Sequence, residues 1–277
     1  MSYGDWIRIN QTTNNMKRKL LLVLAVAVAT VSTTVKVQAW GGVGHSAIAY
    51  IAEKHLTPEA REKCYHYLQH SLAYYASWMD SWRDIDPYKE TTYWHTSKVD
   101  ADNNPLYNES RGAHIHVDRL RKEMKDYKNL SDSAVIVNLK LLIHMVGDMH
   151  CPSHTGYPDQ PGFKGYNIYR SGKATKFHTF WDAAPAYMHK DWTCEDFHKR
   201  LDKWSKKKIA KVVQGTAEDW ARVNGKEMRA VYSLIPIDAE YTKLSEEDRA
   251  RALMICETQM LRGAYRLAYV LNEIFEN

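Results

Sequence analysis

Leu142-Ile-His144-Met-Val-Gly-Asp148-Met-His150-Cys-Pro-Ser-His154 decides how this chain is read. His144 and Asp148 are four residues apart, so on a helix they project from one face. The residues around them are apolar, and an ionisable pair on an apolar helix needs a reason to be buried. His154 follows just past the break at Pro152 and can turn back toward the same place. The same spacing recurs in His178-Thr-Phe-Trp-Asp182 on another expected helix. A single histidine on an apolar face is more often a core residue bonded to a carbonyl. Two His/Asp pairs at helical spacing, together with Asp80, His95 and His45, instead make a donor set that suits zinc. It is also larger than one zinc ion can use.

The expected fold is all-α, built as a single helical domain. Helices are expected over Gly44–His55, from the Thr57 cap and Pro58 to about Gln69, and over Leu72–Arg83. Ser131 caps the strongest segment, Ala134–His150. Lys176–Ala184 adds a turn or two, Cys194–Gln214 is amphipathic and rich in lysine, and Glu247–Phe275 is long. That last helix carries an apolar stripe of Leu253, Met254, Met260, Leu261, Leu267 and Leu271. Lys98–Ile115 and Thr155–Thr175 are rich in turn residues and read as binding loops between groups of candidate ligands.

Residues 1–39 read as a polar extension and a secretory signal, and residues 40–277 as the functional domain. Met16-Lys-Arg-Lys begins a basic start, Leu20–Val31 is a short apolar run, and Val37-Gln38-Ala39 offers small residues at a cleavage position. The apolar run is too short to span a membrane comfortably, and no later segment is long and apolar enough. Cleavage after Ala39 makes Trp40 the new N-terminus, with an α-amine that no internal residue can offer to a metal, and His45 lies five residues on. The protein is then exported to a periplasm or medium and acts as a monomer. The sequence carries a formal charge of +5, but Arg8, Lys17, Arg18, Lys19, Lys36 and Asp5 precede Trp40 and leave about +1. Overall basicity therefore gives no argument for a polyanionic partner. The cysteines at 64, 151, 194 and 256 contain no Cys-x-x-Cys pair, which argues against a cysteine zinc site. Export permits disulfides, but their pairing cannot be read from sequence. Asn108-Glu-Ser and Asn129-Leu-Ser are glycosylation sequons only in a eukaryotic secretory route.

Trp40-Gly…Gly-His45, Ser77-Trp-Met-Asp80, Trp94-His95, His144-x-x-Gly-Asp148-x-His150-x-Pro-x-His154 and His178-x-x-x-Asp182 together resemble the trinuclear-zinc nucleases. That family comprises the fungal single-strand-specific nucleases, the plant bifunctional nucleases and their bacterial relatives. The resemblance runs from Trp40 to Asp182. It implies a helical domain of the zinc phospholipase C and single-strand nuclease type, and three zinc ions. By resemblance, Asp80, His95, His144 and Asp148 hold one zinc. The Trp40 amine and carbonyl, His45 and the bridging Asp148 hold a second, and His154, His178 and Asp182 a third. His150 lies in the motif without a ligand role.

The implied activity is hydrolysis of single-stranded RNA or DNA to 5′-phosphate products, with 3′-nucleotidase action on nucleotides. A hydroxide bridging two zincs attacks phosphorus, and the third zinc stabilises the leaving oxygen. Asp80 orients the water. Arg83, three residues on, meets charge on the phosphate; its bland alternative is a surface salt bridge. Lys164-Gly-Tyr-Asn167 resembles a family segment whose Asn holds phosphate or base, with Tyr166 in place of a glycine. Thr96-Ser97-Lys98 follows His95 where relatives often place an aromatic or apolar residue. Tyr157, Tyr166 and Tyr169 are alternative stacking faces. Zinc phospholipase C is the rival enzyme, but its ligand spacings match less well. A non-catalytic secreted zinc protein needs only one closed site. A di-iron helical protein needs paired Glu-x-x-His motifs, and none is present.

Overall fold

The computed structural model describes residues 40–108, 111–160 and 165–276. The expected leader lies outside the described residues. The described residues are mostly helix, in twelve α-helical segments: α1 Gly41–Lys54, α2 Pro58–Leu68, α3 Leu72–Tyr75, α4 Trp78–Trp82, α5 Ala113–Met124, α6 Asp132–Asp148, α7 Phe177–Met188, α8 Cys194–Leu201, α9 Lys206–Val212, α10 Ala217–Glu227, α11 Arg229–Leu234 and α12 Glu246–Phe275. Four short strands accompany them. β1 Ser97–Lys98 pairs in parallel with β2 Thr155–Gly156, and β3 Asn167–Arg170 forms a hairpin with β4 Lys173–Lys176. No helix among the described residues is long and apolar enough to cross a membrane.

α6 is the central element. Ser131 starts it by accepting the amide hydrogen of Ala134, with Asp132 in the first turn. From Leu141 to Asp148 every residue is buried, so the helix has no solvent face there. α1 and α12 pack most extensively against each other. They lie between two apolar clusters. One gathers Ala49, Leu68, Leu139, Leu142, Trp220 and Leu271; the other gathers Trp40, Ile48, Ile51, Phe177, Trp181 and Met260. Burial of these side chains, each worth about 1.5–3 kcal/mol for the larger ones, sets the frame that holds α6.

Several expected elements differ. Leu72–Arg83 is two short helices, because the chain turns out of helix at Ala76 and Ser77. The turn releases the Ala76 carbonyl, which receives His144 Nδ1 at 2.7 Å. Cys194–Gln214 also divides, at Asp202; that carboxylate is held by Tyr265, His55 and His198 instead of facing solvent on a continuous helix. α5, α10 and α11 lie where no helix was expected. The turn signals of Lys98–Ile115 obscured the start of α5. Met254, placed in the apolar stripe of α12, is 58% exposed. Cys64, Cys151, Cys194 and Cys256 are free thiols.

Candidate metal centre

Three groups of buried donors meet around the end of α6. His45, His144 and Asp148 form one, Asp80, His95 and His144 a second, and Cys151, His154 and Asp182 a third. Asp148 stands between the first two. Its Oδ1 lies 3.2 Å from His45 Nε2 and 3.5 Å from His154 Nδ1. Its Oδ2 lies 2.7 Å from His95 Nδ1 and 3.1 Å from His144 Nε2. One carboxylate thus presents an oxygen to each of two donor groups. Asp80 Oδ2 is 3.7 Å from His144 Nε2, and Asp80 Oδ1 is 3.0 Å from a guanidinium nitrogen of Arg83.

Backbone carbonyls fix which imidazole nitrogen faces the centre. His144 Nδ1 donates to Ala76 O, and His154 Nδ1 donates to His95 O at 2.9 Å. Each ring then turns Nε2 inward, the arrangement by which an outer hydrogen bond orients a metal-binding histidine. The β1–β2 pair sets Ser97 beside Thr155, which brings the strands after His95 and His154 together. His150 is built differently. Its Nδ1 donates to Val146 O at 2.7 Å, and its Nε2 accepts from Arg266 at 2.6 Å, so both nitrogens are occupied away from the centre. Burial and the cations of Arg266 and Arg262 keep it neutral, far below the usual imidazole range.

Trp40 is fully buried, and its indole N–H donates to the carbonyl of Gly147 at 2.8 Å. This bond clamps the start of the described chain onto the ligand helix. Gly147 serves in a second way. A Cβ there would stand 2.9 Å from His45 Nδ1, so only glycine lets the His45 ring approach α6. His45 stacks on His144 with centroids 4.0 Å apart. At the third group, His178 Nε2 lies 3.2 Å from Asp182 Oδ2, and His154 Nε2 lies 3.3 Å from Asp182 Oδ1. The His154 and His178 rings stack at 4.6 Å. The His178 and Arg83 side chains are 23% and 24% exposed, whereas Asp80 and Asp148 are fully enclosed, so the centre opens toward His178 and Arg83.

The protons in the cluster follow from this geometry. Burial disfavours a charged His144, but Asp148 and Asp80 outweigh it and raise its pKa to about 9. Burial likewise opposes charge on His154, yet Cys151, Asp148 and Asp182 hold its pKa well above the usual range. His45 and His95 are lowered by burial, and His178 falls to about 4 for the same reason. His45 Nε2, Asp148 Oδ1, Asp80 Oδ2, His154 Nε2 and Asp182 Oδ2 are all buried without a hydrogen bond, although they crowd together. Buried polar atoms are nearly always bonded. Atoms that face a shared point rather than each other fit a set of metal ligands. The imidazole and carboxylate donors suit zinc.

Eight of the nine residues named from the sequence as metal ligands meet here, whereas Trp40 lies beside the cluster through its indole, and its carbonyl, expected as a ligand, accepts from Gly44 N at 3.0 Å. His144 also belongs to the His45 group. Cys151 was missed; its signal was Cys151-Pro-Ser-His154, a Cys-x-x-His spacing closed by the short turn Pro152–His154. Asn167 opens β3, where its side-chain oxygen accepts from Lys176 Nζ at 2.7 Å, two residues before His178. Tyr166 is a packing residue, its hydroxyl donating to carbonyls of Tyr232 and Ile235. Tyr157 is buried but lines a cavity of about 510 Å³ beside β1 and β2, with Lys98, Val99, Leu106, Gln160 and Tyr232.

The family model described as S1/P1 Nuclease matches residues 40–276. Nuclease S1 of Aspergillus oryzae is 25% identical over 176 residues, a match spanning 58% of this chain and 59% of that relative. Nuclease P1 of Penicillium citrinum is 24% identical over 271 residues, covering 85% of this chain and 97% of the relative. Nuclease PA3 of a Penicillium species matches to the same extent.

A Gly147→Ala substitution removes no donor atom, yet it drives a methyl group against the His45 ring. The expected result is loss of metal from the His45 group with the helical content unchanged. Elemental analysis after dialysis checks this against circular dichroism of the same sample.

Proposed function

This chain belongs to the S1/P1 nuclease family, and from that premise we propose that it is an exported, zinc-dependent phosphodiesterase acting on single-stranded nucleic acid. It leaves 5′-phosphate products and also removes 3′-phosphates from nucleotides. The observation that carries the proposal is Asp148, which gives one carboxylate oxygen to each of two adjoining donor groups. Trp40, His45 and Asp148 would hold one ion, Asp80, His95, His144 and Asp148 another, and His154, His178 and Asp182 a third. Zinc bound there supplies a water of lowered pKa and positive charge for phosphoryl oxygens.

The remaining work falls to side chains. Asp80 orients the attacking water through the oxygen that Arg83 does not hold. Arg83 stands at the open edge of the centre, where its guanidinium can follow charge onto a phosphate oxygen without leaving Asp80. Asn167 is the second substrate-binding residue, acting through its side-chain amide from β3. The cavity beside β1 and β2 takes a base. Val99, Leu106 and Tyr232 offer apolar walls, and Lys98 and Gln160 offer polar contacts. It begins directly after two proposed ligands, His95 and His154, so a base held there keeps its phosphate near the centre. Proximity of this kind is worth several kcal/mol of the barrier. Export is supported by the basic start, short apolar run and small residues ahead of Trp40.

The deciding experiment incubates the metal-loaded protein with single-stranded RNA and DNA, with 3′-mononucleotides and with phosphatidylcholine. Cleavage of nucleic acid with 5′-phosphate ends is expected. Ends bearing 3′-phosphates, or lipid hydrolysis without nuclease action, would reassign the activity. A form keeping one extra residue before Trp40 should lose one metal equivalent and most of its activity. Unchanged metal content in that form would remove the amine from the ligand set. Arg83→Ala should keep all its metal and slow turnover by roughly 100- to 1,000-fold, the cost of one charge contact made in the transition state. Wild-type turnover would leave Arg83 as a salt bridge to Asp80 only.

A further inference from the structure

We infer that Cys151 is a fourth protein ligand of the third metal ion, completing a Cys151–His154–His178–Asp182 site. The inference rests on the reading of these residues as a metal centre. Cys151 is fully buried, and its Sγ lies 3.5 Å from Asp182 Oδ1. The sulfur, His154 Nε2 or Nδ1 and an Asp182 oxygen all lie within 4.8 Å of one another. His154 Nε2 and Asp182 Oδ2 are buried in the same place without a hydrogen bond, so the thiol is not alone there.

Two separations that share Asp182 Oδ1 match edges of a zinc tetrahedron. With zinc about 2.0–2.1 Å from nitrogen and oxygen and about 2.3 Å from sulfur, a tetrahedral angle puts nitrogen and oxygen about 3.3–3.4 Å apart, and sulfur and oxygen about 3.5 Å apart. His154 Nε2 stands 3.3 Å from Asp182 Oδ1, and His178 Nε2 approaches the other oxygen, Oδ2, at 3.2 Å. The Cys151 to Asp182 spacing is 3.5 Å. The local chain explains the placement. His154 N donates to the Cys151 carbonyl at 2.9 Å, and the turn Pro152–His154 sets both side chains on one side.

On binding, the sulfur–metal bond forms as the thiol proton leaves to solvent. One thiolate and one carboxylate then balance the double charge of the ion. That balance lowers the cost of enclosing the ion away from water. It also distinguishes the third site from the other two. Cys151, His154, His178 and Asp182 would together offer the four donors that a zinc site prefers. The two ions joined by Asp148 would share two carboxylates, Asp80 and Asp148, between them and so keep more residual charge per ion. The third ion would also tie α7, which carries His178 and Asp182, to the turn after α6 that carries Cys151 and His154.

The test is spectroscopic and independent of catalysis. Metal-free protein, otherwise wild type, is reloaded with cobalt(II), and its near-ultraviolet spectrum is recorded. A thiolate-to-cobalt charge-transfer band is expected. It should vanish in Cys151→Ser and persist in Cys64→Ser, Cys194→Ser and Cys256→Ser. Three bound cobalt ions without the band, or a band that survives Cys151→Ser, overturns the inference. Failure to bind cobalt at all overturns the underlying metal reading instead. If Cys151→Ser does not fold, zinc X-ray absorption on the wild-type protein decides. A sulfur at about 2.3 Å from roughly one zinc in three supports the ligand, and a shell of nitrogen and oxygen alone excludes it.

Discussion

A carboxylate enclosed at the end of an apolar helix is the constraint on which the rest of this molecule depends. Asp148 has no exposed surface. Isolated in such a place, an ionised carboxylate would cost several kcal/mol or more. Burial resists its charge, but His144, His154 and His95 hold its pKa far below the usual carboxylate range. Each of those rings must in turn be carried to the spot by a different part of the chain. His144 stands on α6 itself, α1 adds His45, the segment just before β1 delivers His95, and the turn after α6 delivers His154. The helical frame is therefore arranged around compensation of one charge, and the apolar clusters supply the energy that holds the charges together.

The supporting contacts are mostly backbone. The carbonyls of Ala76 and His95 set the rings of His144 and His154, and the carbonyl of Gly147 receives the indole of Trp40. The Gly147 carbonyl accepts the His150 amide as well, so one oxygen both closes the end of α6 and holds the indole. Ala76 sits at the break between α3 and α4, and Gly147 lies in the last turn of α6. Irregularities in the helices are thus the places where ligand rings are anchored. This is why Leu72–Arg83 could not remain one straight helix.

The parts of the site that were legible in the sequence are those written at helical spacing. His144 with Asp148 and His178 with Asp182 each declare a shared face through a four-residue interval, and the Ser131 cap marks where α6 begins. Contacts made across long separations were not legible. The meeting of His95 with His154 depends on a two-residue parallel pair that no propensity announces. α5 starts inside turn-rich sequence, so packing against α6 and α12 decides it, whereas α10, which packs on α5, opens with a Thr216–Asp219 capping box written in the sequence. Tyr157 and Tyr166 looked alike as loop aromatics. Only the fold separates one that lines a cavity from one whose hydroxyl is bound to two carbonyls.

The pairing of β1 with β2 also bears on how such a molecule can change. Both strands lie immediately after a histidine of the cluster, and the two loops leave from their far ends. Variation in residues 100–108 or 157–160 is therefore introduced beyond a latch. Loop length and composition can drift there without moving His95 or His154. The donor cluster is thus anchored ahead of the strands, and the loops that follow them can differ in length and composition without disturbing its rings.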